Sequence, residues 1–107
     1  MTELDLIIKA IELRKPICFE YAVENKVTGK RYGNPHSIFL HPTTNNLMAH
    51  IFQVNGVSDT KDKLPGWRQT LIAHIKNIII MDEAECFEMA MDYKPNSPMY
   101  SRVIAKV

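Results

Sequence analysis

Residues 47–75 read LMAHIFQVNGVSDTKDKLPGWRQTLIAHI, and they hold most of the chain's capacity for recognition chemistry. One guanidinium (Arg68), one indole (Trp67), an amide (Gln53), a hydroxyl (Ser58) and the imidazoles of His50 and His74 interrupt two apolar runs. A guanidinium offers a fork of donors that grips phosphate or carboxylate at two points. An indole offers a flat face on which a base can stack. Each also has an ordinary structural reading. Arg68 could pair with a surface acid such as Glu20, and a single tryptophan after Pro65-Gly66 could plug the core. Tyr32 beside Gly33 is better placed to reach a ligand than Tyr21, which shares the apolar face of Phe19. His36 and His74 read as polar, pH-sensitive members of the same cluster or as satisfied structural histidines.

The catalytic alternatives are poorly served. Acid–base catalysis needs two titrating groups held across a cleft, and no spacing brings Glu20 to His36 or His74. There is no P-loop, no G-x-S-x-G and no G-x-G-x-x-G in a chain with four glycines. Cys18 lies between Ile17 and Phe19 with no activating charge in view. His36, His41, His50 and His74 with Cys18 and Cys86 show neither C-x-x-C nor H-x-x-x-H spacing, so no metal and no cofactor is expected. The reading is a binding domain and not an enzyme, with a ligand site at Arg68, His36, His74, Gln53 and Ser58, Trp67 as its wall and Tyr32 nearby.

These side chains need a scaffold, and 107 residues are enough for a single domain with one core. A net charge of +1 removes any global pull toward nucleic acid or anionic membrane, so such binding would need a local patch. Two cysteines, one of them in an apolar strand pattern, suit a reducing cytoplasm. No signal-peptide pattern opens the chain, and its longest apolar run is far too short to span a bilayer.

Thr2 with Asp5 and the stripe Leu4, Ile7, Ile8, Ile11 predict a helix over 2–15, closed by Pro16. Period-2 alternation from Ile17 to Val23 then predicts a strand. A turn over 25–29 and extended stretches at 31–40, 47–54, 67–72 and 75–81 follow. Together they predict a mainly β fold, a small bent-sheet barrel over 16–81 with the helix across an open end. Residues 82–92 read as a short helix with Ala84, Phe87, Ala90 and Met91 on one side. The end, 99–107, reads either as a last strand or as a helical turn. The isoleucine run 78–80 is core or a contact with a second copy, so a homodimer is one expectation.

The ordered set of motifs resembles the WYL domain family, in its short stand-alone form. It runs from Ala10-Ile11 and Ile17-x-Phe19-x-Tyr21 through Tyr32-Gly33-x-Pro35-His36 to Phe52-Gln53-Val54-x-Gly56-x-Ser58, Pro65-Gly66-Trp67-Arg68 and Ile75. The resemblance implies an Sm-like or SH3-like barrel in a regulatory protein. It implies sensing of a negatively charged ligand, either a nucleotide-type molecule or single-stranded nucleic acid. Leu47-Met48-Ala49 stands where the name-giving Trp-Tyr-Leu belongs, and His74 where the family has a second arginine. The competing expectation is a protein-interaction module, docking a partner chain through the loop 55–66 and an exposed sheet edge.

Overall fold

The computed structural model describes residues 1–23, 27–58 and 63–107. The chain opens with helix α1, Glu3–Leu13. The Thr2 hydroxyl accepts the Asp5 N–H (3.1 Å), and the Asp5 carboxylate accepts the Thr2 N–H (3.3 Å). This reciprocal cap satisfies two of the donors that a helix start leaves open. Arg14, in the left-handed conformation, ends the helix by returning its N–H to the last turn.

Six strands follow among the described residues: β1 Ile17–Tyr21, β2 Lys30–Leu40, β3 Leu47–Gly56, β4 Gly66–Leu71, β5 Ile75–Ile80 and β6 Val103–Lys106. They form one antiparallel sheet in the order β4-β3-β2-β1-β5, with β6 added to β2. β2 is the spine. β3 runs along one of its edges, while β1 and then β6 share the other. The sheet is bent but open, with β4 and β5 at its ends joined by a 3-10 turn, Ile72–His74. The mainly β class with a leading helix thus stands.

Two features bend β2. Gly33 sits where a Cβ would come within 2.6 Å of the Ile51 side chain, so only glycine lets β3 approach this closely. Three positions later the register slips: Pro35 faces Ile51 and Ser37 faces His50, leaving His36 as the extra residue of a bulge. Pro35, which has no N–H to contribute to a ladder, falls at the break. The interruption expected at Asn34-Pro35 is therefore a bulge inside one continuous strand.

One face of the sheet packs on α1. Ile7, Ala10 and Ile11 meet Ile17, Phe19, Ile38, Ala49, Ile51 and Ile75, all buried. At roughly 1.5–3 kcal/mol for each large side chain removed from water, this layer is the main source of stability. Ile78 and Ile80 pack at its margin while Ile79 points outward.

The expected helix over 82–92 is absent; no helix lies in that stretch. Three of its polar groups go to distant partners instead. The Phe87 N–H reaches the Arg14 carbonyl (2.8 Å), the Cys86 thiol the Leu13 carbonyl (3.4 Å), and the Ala90 N–H a ring nitrogen of His36 (3.1 Å). Tertiary bonds have displaced the local i-to-i+4 pattern. The end of the chain takes both of its open readings, a 3-10 turn at Pro98–Tyr100 and then β6. The expected turn over 25–29 and the loop over 55–66 lie partly outside the described residues, with Asn25, Asp59, Lys61 and Asp62 among those left out.

Candidate functional site

On the face away from α1, strand alternation presents His50 and Phe52 from β3 and Trp67 from β4. Phe52 and Trp67 are register partners, with ring centres 5.2 Å apart. Phe87, Tyr93 and Tyr100, from the segment that follows β5, come against this face.

The bulge makes His36 the hub. Its ring, fully buried, lies 4.8 Å from Trp67, 4.9 Å from Tyr93 and 5.1 Å from Phe87. Because the Ala90 N–H can only donate, Nε2 must accept from it, and Nδ1–H then donates to the Asn34 carbonyl (2.8 Å). That assigns a neutral ring. Burial, working against the Asn34 carbonyl and Asp92, lowers its pKa from the usual 6.5. The His36 carbonyl also accepts the Val107 N–H at 2.9 Å. One residue therefore ties the chain's last quarter to the sheet at two places.

Between sheet and segment opens a cleft of about 240 Å³. His50, Trp67, Tyr93 and Tyr100 form its aromatic lining; Ser97 and Met99 add to it, and Asp92 and Lys94 stand at its rim. The His50 ring centre is 4.5 Å from that of Trp67, and its Nδ1 lies 2.6 Å from the Tyr100 hydroxyl oxygen. Burial, with His36 adding and Asp92 opposing, pushes the His50 pKa down to about 4. Burial, with Tyr100 beside it, pushes Tyr93 up to about 12, and burial likewise raises Tyr100. At neutral pH the lining carries no charge, and the two rim residues carry one of each sign. Such a surface can stack a flat ring and offer it hydrogen bonds at the edge.

The seven residues expected to form one site are divided. Arg68 is the register partner of Ile51, so it lies on the α1 side of β4 while Trp67 faces the cleft. Its guanidinium donates to the Ser58 hydroxyl (3.0 Å) and the Trp67 carbonyl (2.8 Å). Gln53 is buried beside this corner, its amide holding the Asn55 and Val57 carbonyls at 3.1 and 2.7 Å. Arg68, Ser58 and Gln53 are thus brought together. His36 and Trp67 are brought together on the opposite face. Tyr32, paired with Cys18, is half-buried on that same face. His74 stands apart in the 3-10 turn, edge-on to Tyr21 with ring centres 6.1 Å apart. Glu20 takes the Asn77 amide (2.6 Å). Tyr21 is a core residue whose hydroxyl accepts the Leu71 N–H (3.0 Å).

His50, Tyr93 and Tyr100 were not expected in the site. Alternation alone puts His50 on the same face as Met48 and Phe52, and this signal was available. Nothing local announces the two tyrosines, because their place depends on where the segment crosses the sheet. Comparison with protein-family models, with curated proteins and with solved structures finds no match to this chain.

Proposed function

We propose that this protein is a small ligand-binding regulatory domain, WYL-like and built on an Sm/SH3-like bent sheet, that senses a nucleotide-type molecule. The observation that carries the reading is the aromatic cleft between the sheet and residues 92–100. At about 240 Å³ it is smaller than the ~300–1,000 Å³ that enclose a whole drug-sized ligand. It suits one ring system, with the rest of the molecule outside. Trp67 and Tyr93 are the stacking surfaces, and Lys94 is the cation of its lining. β4 is an end strand, so Trp67 and Arg68 flank the sheet's open margin, an arrangement that also suits a short single strand running past it. The sheet's two end strands, joined by a single 3-10 turn, support the SH3-like architecture. Two free cysteines support a reducing, cytoplasmic setting. Binding without transformation fits a lining in which His50 and the two tyrosines stay neutral at physiological pH.

Trp67 is the chain's only tryptophan and therefore its own reporter. Adenosine, AMP, ATP and a short oligothymidine are titrated in turn, with Trp67 emission and calorimetry read together. The expected result is a saturable change in Trp67 emission that His50→Phe and Tyr93→Ala weaken. Silence of every probe up to millimolar concentration refutes the reading. Arg68→Ala in the same titrations separates the two faces: loss confined to phosphate-bearing probes assigns the phosphate to Arg68.

A second reading is contact with a protein chain or a second copy. It rests on Ile79 and Ile104, 59% and 50% exposed on end strands β5 and β6. Light scattering that returns a monomer at high concentration removes the homodimer.

A further inference from the structure

The polar group at the heart of the cleft is His50, and its two ring nitrogens are in different situations. Nδ1 is engaged by the Tyr100 hydroxyl at 2.6 Å. Nε2 has no hydrogen-bond partner among the described residues, and it is not closed off from solvent as a buried orphan would be. Which nitrogen carries the proton follows from the partner. A phenol is the better acid of the two and a neutral imidazole nitrogen the better acceptor. If Nδ1–H donated instead, the Tyr100 proton would have to turn to the nearby Ser37 hydroxyl, a weaker acceptor than an imidazole nitrogen. Tyr100 therefore donates to Nδ1, and the single imidazole proton sits on Nε2. Trp67 lies against the same ring at 4.5 Å and Phe39 flanks it at 6.4 Å; neither can accept a conventional hydrogen bond from it.

We infer that His50 is the specificity-determining residue of the cleft: its Nε2–H reads an acceptor on the edge of a flat heteroaromatic ligand, with Tyr100 as the positioning residue that locks the tautomer. The inference rests on the cleft being the ligand site and adds what that site selects. A ring nitrogen or carbonyl at the matching edge is accepted. A ring N–H there would face Nε2–H donor to donor, leaving both unpaired inside an aromatic enclosure. The asymmetry is that of any site built to satisfy one polar group: the wrong partner loses its own water and gains nothing.

The test uses two fused bicyclic probes of similar size and opposite edge chemistry, isoquinoline (acceptor only) and indole (donor only), at about pH 8, where histidine of ordinary pKa is neutral. Affinities are read by calorimetry, because indole absorbs with Trp67. The expectation is that isoquinoline binds about tenfold more tightly than indole, the scale of one satisfied against one unsatisfied hydrogen bond. In His50→Phe both probes still bind and the preference falls to about twofold or less. In Tyr100→Phe the ring is retained but free to change tautomer, and the preference falls to about threefold or less. A nitrogen-15 correlation spectrum of the free protein reads the tautomer directly: Nδ1 unprotonated and Nε2–H in the wild type, a mixture in Tyr100→Phe. A purely structural role for Tyr100 would leave that spectrum unchanged. Equal binding of the two probes overturns the inference and leaves the cleft standing as a ligand site. Tighter binding of indole, or a Nδ1–H tautomer in the free protein, also overturns it. If neither probe binds at millimolar concentration, the inference and the reading of the cleft fall together.

Discussion

A His36→Phe exchange keeps a ring of similar shape among Trp67, Tyr93 and Phe87 while removing both hydrogen bonds of the imidazole. The Ala90 N–H and the Asn34 carbonyl then lose their partner. A fully buried orphan costs about 1–3 kcal/mol, but Ala90 and Asn34 are themselves half-buried, so water can replace part of each bond. The pair should destabilise the fold by about 1–3 kcal/mol in total. His36→Ala removes the ring as well. At a position with no exposed surface this resembles an aromatic-to-alanine change, about 3–5 kcal/mol, which is a large share of the ~5–15 kcal/mol that a domain possesses. Urea unfolding followed by Trp67 emission measures both variants. Amide exchange at Ala90 gives the local view: protection there should fall in His36→Phe before it falls in β1. A His36→Phe protein within about 0.5 kcal/mol of wild type, with Ala90 still protected, would refute the role assigned to the bulge histidine.

Acid lability follows from the same two histidines. His50, held down to about 4, and His36, also lowered, stay neutral in the fold while the unfolded chain takes up protons below 6.5. The unfolded state then binds more protons, so stability is full above pH 6.5 and declines as pH falls, the His50 part being spent by about pH 4. For His50 the ceiling is about 3 kcal/mol; solvent at the cleft mouth reduces it to about 1–2 kcal/mol. Urea midpoints measured from pH 7.5 to 4 should drop, less steeply in His50→Phe; a flat profile contradicts the burial of both rings. Arg68→Ala, which releases Ser58 and the Trp67 carbonyl, should cost about 1–2 kcal/mol while nucleoside affinity changes less than about twofold. Gly33→Ala places a Cβ 2.6 Å from the Ile51 side chain in the centre of the sheet, and a loss of about 1–3 kcal/mol is expected in the same assay.

How far the sequence could be read depends on whether a signal is local. The Thr2–Asp5 cap, the stripe of α1 and the alternation of Ile17, Phe19 and Tyr21 are local, and each element stands within a few residues of its expected bounds. The tail is not local. Asp82 to Asp92 carries a helical apolar spacing, yet its Phe87 and Ala90 N–H groups are taken by Arg14 and His36. The site fails for a third reason. Trp67 and Arg68 are neighbours in sequence, and on a strand neighbours face opposite sides. His36 reaches the aromatic face through a register slip that single-sequence periodicity does not carry. Tyr93 and Tyr100 join it only when the chain folds back over β3 and β4.

The most direct test is a map of amide shifts on titrating AMP into nitrogen-15-labelled protein. Saturable shifts are expected centred on His50, Trp67, Tyr93, Ser97 and Tyr100, with α1 unmoved. Shifts centred on Ser58 and Arg68 with the cleft silent, or none at millimolar AMP, would contradict it.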